Sequence, residues 1–351
     1  MKKFWIPALC VLVAACVVVA LVLLLPGKNE EKVLNLLTWE SYIDDDTIAA
    51  FEKETGIRVV YSPMETNDDM LLKLSQSSGS EYDLVLGSDY ALSILRKENL
   101  IQKLDKAKLT NFGNLDEHYL SQYYDPANDY VIPYMAGSPL IVYDPARVGI
   151  EITGYADLWD ESLKDSIAII DDARIVVGIT LKTLGKSMNE TDPDTLAQAQ
   201  ATLMPLLPNI RTFDFNALQT AVISGEASVS FMFTSQVFLA VMERPDLKVV
   251  YPKEGLGFGI DGFAIPAKAE HADNAHLFLD YLMRPEVGAH NAMWQGYLCV
   301  NKAATPHLAE EYLNNPVVYV PEELLVGAEF IQDIGEAETA MQEIYTAFKL
   351  Q

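Results

Sequence analysis

Cysteine is nearly absent from this chain. Of 351 residues three are Cys, and two of these, Cys10 and Cys16, lie in an apolar N-terminal run, which leaves Cys299 alone in the remainder. No intramolecular disulfide framework can hold that remainder together, so its stability must come from an apolar core. Positive charge is also scarce. With 25 Lys and Arg against 50 Asp and Glu, the formal net charge is −25; phosphate recognition needs clustered basic side chains, so nucleic acid is not an expected partner. Such a field instead gathers cations near the surface. An acidic surface that simply keeps an exported protein soluble accounts for the charge equally well.

Signatures of catalysis are missing too. The five histidines (His118, His271, His276, His290 and His307) show no H-E-x-x-H and no i, i+4 pair, so no metal site is expected and each is read as a solvated surface residue. There is no G-x-S-x-G elbow and no G-x-x-x-x-G-K-S/T phosphate loop. Gly257, Gly259 and Gly262 match the spacing of a dinucleotide fingerprint, but residues 263–266 read as strand, and the fingerprint needs a helix N-terminus to hold a pyrophosphate. No cofactor is expected. Cys299 has no base near it in sequence and reads as a buried structural thiol. The adjacent Asp171 and Asp172 could serve as an acid and base pair in a glycosidase, but no further motif supports that use.

What the sequence does contain begins with Lys2 and Lys3 ahead of an uncharged apolar run over residues 4–25, the order of an export segment held positive-inside. Two readings stay open for residues 1–31: an uncleaved anchor long enough for a ~30 Å hydrocarbon core, or a lipoprotein signal peptide in which "VAAC" is the cleavage box and Cys16 carries the lipid. Either tethers the rest outside the membrane. Beyond a polar linker, strands and helices alternate: "KVLNLLTW", then "DDDTIAAFEKETG" with an acidic cap and Gly56 at its end, then "IRVVYS", "NDDMLLKLSQSSGS" and "YDLVLGS". The same alternation resumes over residues 167–251, with further helices at 273–283 and 336–348. Half the residues are hydrophobic, and two α/β domains around mostly parallel sheets are predicted, with ligand bound beyond the carboxyl ends of the strands. The stretch "LLTWESYIDDD" sits at such an end, and so do residues 88–90.

Several segments, among them "LTWESYI", "FEKETGIRVVYS", "YDLVLGSDY", "DDAR", "DGFAIPA" and "QGYLCVN", occur in an order that resembles the bacterial polyamine-binding proteins of ABC importers, the spermidine/putrescine-binding type of periplasmic binding protein. The resemblance runs from about residue 34 to the C-terminus. It implies a type 2 periplasmic-binding-protein fold with two α/β lobes that close over ligand. One lobe is expected from residues 32–140 with a return at about 262–305, and the other from 141–261 with the C-terminal helices of 306–351. The implied role is extracytoplasmic capture of a polyamine, without catalysis, by a monomer that delivers it to an ABC permease and ATPase. Implied site residues are the aromatic pair Trp39 and Tyr42, Ser88 and Tyr90 of the second loop with Asp89, the amine-binding Asp172, Phe233 in place of a Trp, the ammonium partner Asp261, the wall aromatic Tyr297, and Gln332. Three departures bear on the ligand. The family's W-T-E-Y reads W-E-S-Y, moving the acid from position 41 to Glu40; Ile175 stands where a glutamate is expected; and Gly259 replaces a stacking tryptophan. Other readings are the same fold taking another solute, an extracytoplasmic hydrolase, or a sensor subunit.

Overall fold

Runs of branched apolar residues bounded by acidic caps and glycines become strands and helices in the computed structural model, which describes residues 32–77, 80–325 and 327–351. The expected export segment of residues 1–31, with the choice between anchor and lipidation at Cys16, lies outside these. The architecture belongs to the unit Val33–Gln351. It opens with β1 (Val33–Trp39), α1 (Asp45–Thr55), β2 (Arg58–Met64), α2 (Asn67–Ser77), β3 (Leu84–Ser88) and α3 (Asp89–Lys97). The three consecutive aspartates start α1: Asp44 caps it by accepting from the Asp46 amide at 3.3 Å, Asp45 and Asp46 occupy the electropositive first turn, and Gly56 at φ 72° ends it.

The chain then crosses. β4 (Val131–Gly137) runs into β5 (Leu140–Tyr143) with only Ser138 and Pro139 between. A second set follows: β6 (Ile167–Ile170), α4 (Ala173–Thr183), α5 (Pro193–Leu203), β7 (Ile210–Asp214), α6 (Leu218–Ile223), β8 (Val229–Met232), α7 (Thr234–Glu243) and β9 (Lys248–Val250). The last part comprises β10 (Gly257–Ala264), α8 (Ala272–Leu282), α9 (Pro285–Gln295), β11 (Leu298–Cys299), α10 (Glu310–Leu313), β12 (Glu329–Phe330) and α11 (Ala337–Lys349). No helix among the described residues is long and apolar enough to cross a membrane.

Two sheets result. The first has the order β11-β4-β10-β3-β1-β2, with β12 on β10; the second has β7-β6-β8-β5-β9. Both are mixed, which corrects the expectation of mostly parallel sheets. β2, β1 and β3 are parallel, but β10 is antiparallel to β3 and β4, and β5 is antiparallel to β8 and β9. The reason is connectivity. A parallel neighbour needs a crossover back over the same sheet, whereas β4, β5 and β10 lie where the chain passes from one sheet to the other. The glycines of β10 lie in a strand, and the next helix begins at Ala272, so no helix N-terminus follows them as a dinucleotide site requires.

The histidines also need correction. His271 and His276 are buried, not solvated. His271 faces the Asp83 carboxylate at 3.0 Å, and His276 accepts from the Asp105 amide at 2.8 Å with its other nitrogen on the Ala272 carbonyl at 2.7 Å. Both satisfy loops against α8. Among the described residues no His, Cys, Asp and Glu cluster could hold a metal ion. Burial pushes the Cys299 thiol up to about 11, which makes it a poor nucleophile.

Candidate functional site

β1 delivers its last side chain, Trp39, to a tight turn: Ser41 takes φ 55°, Gln295 donates to the Ser41 carbonyl, and the Tyr61 hydroxyl donates to the Trp39 carbonyl. These bonds fix Tyr42. β3 ends beside it, and the antiparallel register sets Ser88 opposite Asp261 of β10. A short chain of polar groups follows. The Asn67 side chain holds the Ser88 amide at 3.0 Å and its hydroxyl at 3.2 Å; the Ser88 hydroxyl donates to Asp261 Oδ1 at 2.9 Å, and the Tyr42 hydroxyl donates to Asp261 Oδ2. Burial raises the Asp261 carboxyl above the ordinary carboxylate range, while the two hydroxyl donors pull the other way. Among the described residues no Lys or Arg forms an ion pair with Asp261. A carboxylate in this setting lacks the cation that would offset its desolvation.

Aromatic rings surround it. Tyr42 lies 5.2 Å from Trp39 and 5.9 Å from Tyr297 between ring centroids, and Trp39 stacks on Phe215 at 6.5 Å and 23°. Phe215 in turn meets Phe233 edge-on at 5.1 Å. Trp39 and Tyr297 flank the first sheet, whereas Phe215 and Phe233 follow β7 and β8 of the second, so the slot is built from both. Trp39 Nε1 and the Ser138 hydroxyl line the cleft and are buried without a hydrogen-bond partner among the described residues. The cavity among these rings measures about 170 Å³. One water needs roughly 10–15 Å³ of such space, so the cavity has room for a small organic molecule or several waters.

Ten of the eleven residues singled out from sequence line this cleft: Trp39, Glu40, Tyr42, Ser88, Asp89, Tyr90, Asp172, Phe233, Asp261 and Tyr297. Their settings differ. Glu40 is exposed at the rim. Asp89 is 1 % exposed and turned to backbone, accepting from the Tyr90 amide at 2.8 Å and the Ile260 amide at 3.3 Å. Asp172 caps α4 by accepting from the Ile175 amide at 3.0 Å, and burial raises its carboxyl. Gln332 is not part of the wall. It is exposed, its amide donates to Asn189 Oδ1 at 2.7 Å, its carbonyl accepts from Arg174 at 2.9 Å, and its neighbour Ile331 faces the cleft instead. Ile175 is buried in the wall, and a side-chain carbon at Gly259 would meet nothing within 4 Å. With alternation along β10, Gly259 opens onto the same face as Asp261.

Sequence reasoning missed Phe215 and Asn67. Phe215 follows the strand "IRTFD", so the same strand-end logic that picked out Trp39 applies to it. Asn67 opens α2 and gives no signal of its own, because its role comes from contact with Ser88, 21 positions away.

The bacterial extracellular solute-binding protein family model matches residues 46–318. The chain is 36% identical over 322 residues, 92% of each chain, to the spermidine/putrescine-binding periplasmic protein of Escherichia coli, and 35% identical over 312 residues, 83% of this chain and 84% of the relative, to a putrescine-binding periplasmic protein of the same organism. Among solved structures, one assigned as a spermidine/putrescine ABC transporter of Listeria monocytogenes matches with a TM-score of 0.88 at 32% identity, covering 91% of this chain and 99% of that one. The spermidine/putrescine ABC transporter substrate-binding protein of Streptococcus pneumoniae matches with a TM-score of 0.76 at 29% identity, covering 91% and 98%.

Proposed function

The chain belongs to the bacterial extracellular solute-binding protein family, and from that premise we propose that it captures a polyamine of the spermidine/putrescine class outside the cytoplasmic membrane and delivers it to an ABC permease and its ATPase. One observation carries the ligand class. Asp261 is a desolvated carboxylate held by two hydroxyls, ringed by Trp39, Tyr42 and Tyr297, and without a cationic partner among the described residues. A polyamine ammonium, ordinarily charged like a lysine of pKa ~10.4, supplies that partner, and its methylenes suit the aromatic walls.

The energies are adequate. A charge-assisted hydrogen bond contributes about 1.5–3 kcal/mol net and each cation–π contact about 0.5–2 kcal/mol. Two such ends with apolar burial reach the roughly −8 kcal/mol of a micromolar ligand after ordering costs. Trp39, Tyr42, Tyr90, Phe215, Phe233 and Tyr297 form the slot. Asp172 is the anchor from the second sheet, Glu40 attends the rim, and Asp89 orients Tyr90 and β10.

The protein works by lobe closure without bond making. We assign one lobe to residues 32–140 with a return at about 262–305, supported by the pairing of Gly262–Ala264 of β10 with both β3 and β4, and the other to residues 141–261 with the C-terminal helices of 306–351. It acts as a monomer tethered through residues 1–31. Calorimetric titration of the purified full chain with putrescine, spermidine and spermine tests the reading; absence of any binding tighter than about millimolar, roughly 4 kcal/mol, sinks it. A second reading keeps the fold and changes the solute. It rests on Ile175 and the open space at Gly259, and tight binding of another amine with no polyamine binding would favour it. Turnover of a substrate by the purified chain would favour a hydrolase instead, and a gene neighbourhood lacking a permease and an ATPase would favour a sensor subunit.

A further inference from the structure

Two polar hydrogens in the cleft lack acceptors. Trp39 Nε1 and the Ser138 hydroxyl are buried, belong to residues that line the cavity, and have no hydrogen-bond partner among the described residues. The indole stacks on Phe215 at an interplanar angle of 23°, so its N–H, which lies in the ring plane, runs past that ring and not into its face. At Ser138 the Thr234 hydroxyl accepts from the amide and donates to the carbonyl, both at 2.8 Å. Its one hydrogen is thereby used, and the Ser138 hydroxyl is left over.

An unsubstituted polyamine does not answer Trp39. An indole N–H can only donate, and so can an ammonium. A polyamine held through Asp261 therefore leaves Trp39 Nε1 unmatched, and a buried donor without an acceptor weakens binding. We propose that the preferred ligand is a polyamine acylated on one nitrogen: its free ammonium pairs with Asp261, and its amide oxygen accepts from Trp39 Nε1 and the Ser138 hydroxyl. The inference rests on the polyamine reading above and narrows the ligand within that class.

Charge and space both favour an amide. Asp89, Asp172 and Asp261 line the same cleft, and the Arg174 guanidinium that reaches it already donates to the Gln332 carbonyl, Asn189 Oδ1 and the Met341 sulfur. A ligand carboxylate would meet like charges there, whereas a neutral carbonyl brings two lone pairs and no charge to offset. Room for the acyl group lies beside Ser138. Gly259 pairs with Gly137 in the antiparallel ladder, and a side-chain carbon at Gly259 would meet nothing within 4 Å. Ile175 and Phe233 line the same cleft. They give the acyl carbons apolar cover, so an uncharged end is buried without needing a counter-ion.

The test is calorimetry on the full chain with two matched pairs, putrescine with N-acetylputrescine and spermidine with N1-acetylspermidine. In at least one pair the acetylated amine should bind at least about fivefold tighter than its parent. Trp39→Phe keeps an aromatic ring and removes the N–H, and should lower that preference at least about threefold whatever it does to the affinity for the parent amine. If this variant does not fold, Ser138→Ala carries the same comparison. Parent amines that bind with a smaller gain on acetylation, or a preference retained in the variant, overturn the acyl assignment and leave the polyamine reading standing. Binding of an acetylated amine without its parent upholds the assignment. Failure of all four amines to bind the unmodified protein overturns the polyamine reading and the assignment with it.

Discussion

The wall of the cleft built on the first sheet sets a carboxylate between two hydroxyls and three aromatic rings, whereas the wall built on the second offers two phenylalanines and an isoleucine beside Asp172, already engaged in capping a helix, the Arg174 guanidinium, and the polar side chains of Asn216, Thr234 and Gln236. The first wall presents a carboxylate without an ion-pair partner among the described residues, and the second mixes apolar cover with polar groups already hydrogen-bonded to protein. β10 explains the difference, because its antiparallel entry puts Asp261 against Ser88 and within reach of Tyr42. Among the described residues no second-wall carboxylate sits between two hydroxyl donors, so the influence of that wall falls on the width and length of the ligand more than on its charge.

Substitutions can break that contrast in order of expected effect. Asp261→Asn removes the charge while keeping the hydrogen-bonding shape, and should weaken a cationic ligand by about tenfold to a hundredfold, measured by calorimetry; unchanged affinity would take Asp261 out of the site. Trp39→Ala should cost about threefold to thirtyfold through lost ring contact with the ammonium and methylenes. On the opposite wall, Phe215→Ala should cost about two- to tenfold, because only stacking and apolar cover are lost. A loss there as large as that of Asp261→Asn would show that the walls are not divided as described. Gln332→Ala should leave affinity within about twofold, since the side chain is outside the wall.

pH sharpens the same comparison. Asp261, Asp172 and Asp89 all have carboxyls raised by burial, so between the ordinary carboxylate range near ~3.9 and their raised values the folded chain holds more protons than the unfolded one. Stability from these groups is therefore present at low pH and falls as pH rises through that window. A bound ammonium favours the ionised Asp261, so thermal stabilisation by a polyamine should be larger near about pH 7.5 than near about pH 5. Asp261→Asn should flatten that difference. An equal shift at both values in the unmodified protein would place the ligand's charge away from the raised carboxyls.

Much of this could be read from the sequence, and the failures have local causes. β1, β2 and β3 with their helices were legible because apolar runs, acidic caps and Gly56 all point the same way. α9 escaped notice because Pro285 reads as a break, although proline suits the first turn of a helix. The antiparallel strands were invisible because strand direction depends on which sheet the chain enters, a long-range property. Gln332 and Ile331 illustrate the sharpest limit. Resemblance places a residue to within one position, but after an extended segment as short as β12 one position separates the cleft from solvent.

Gly137, Ser138 and Pro139 link the two sheets, and all three line the cleft. A side-chain carbon at Gly137 would come within 2.8 Å of Tyr297 and 2.6 Å of the Thr234 hydroxyl, which itself pairs with both the amide and the carbonyl of Ser138 at 2.8 Å. In the proposed lobe closure, the floor under a captured solute and the pivot between the sheets would therefore be the same few atoms. On that proposal, occupancy of the cleft bears directly on its axle, and a substitution there should change grip and gait together.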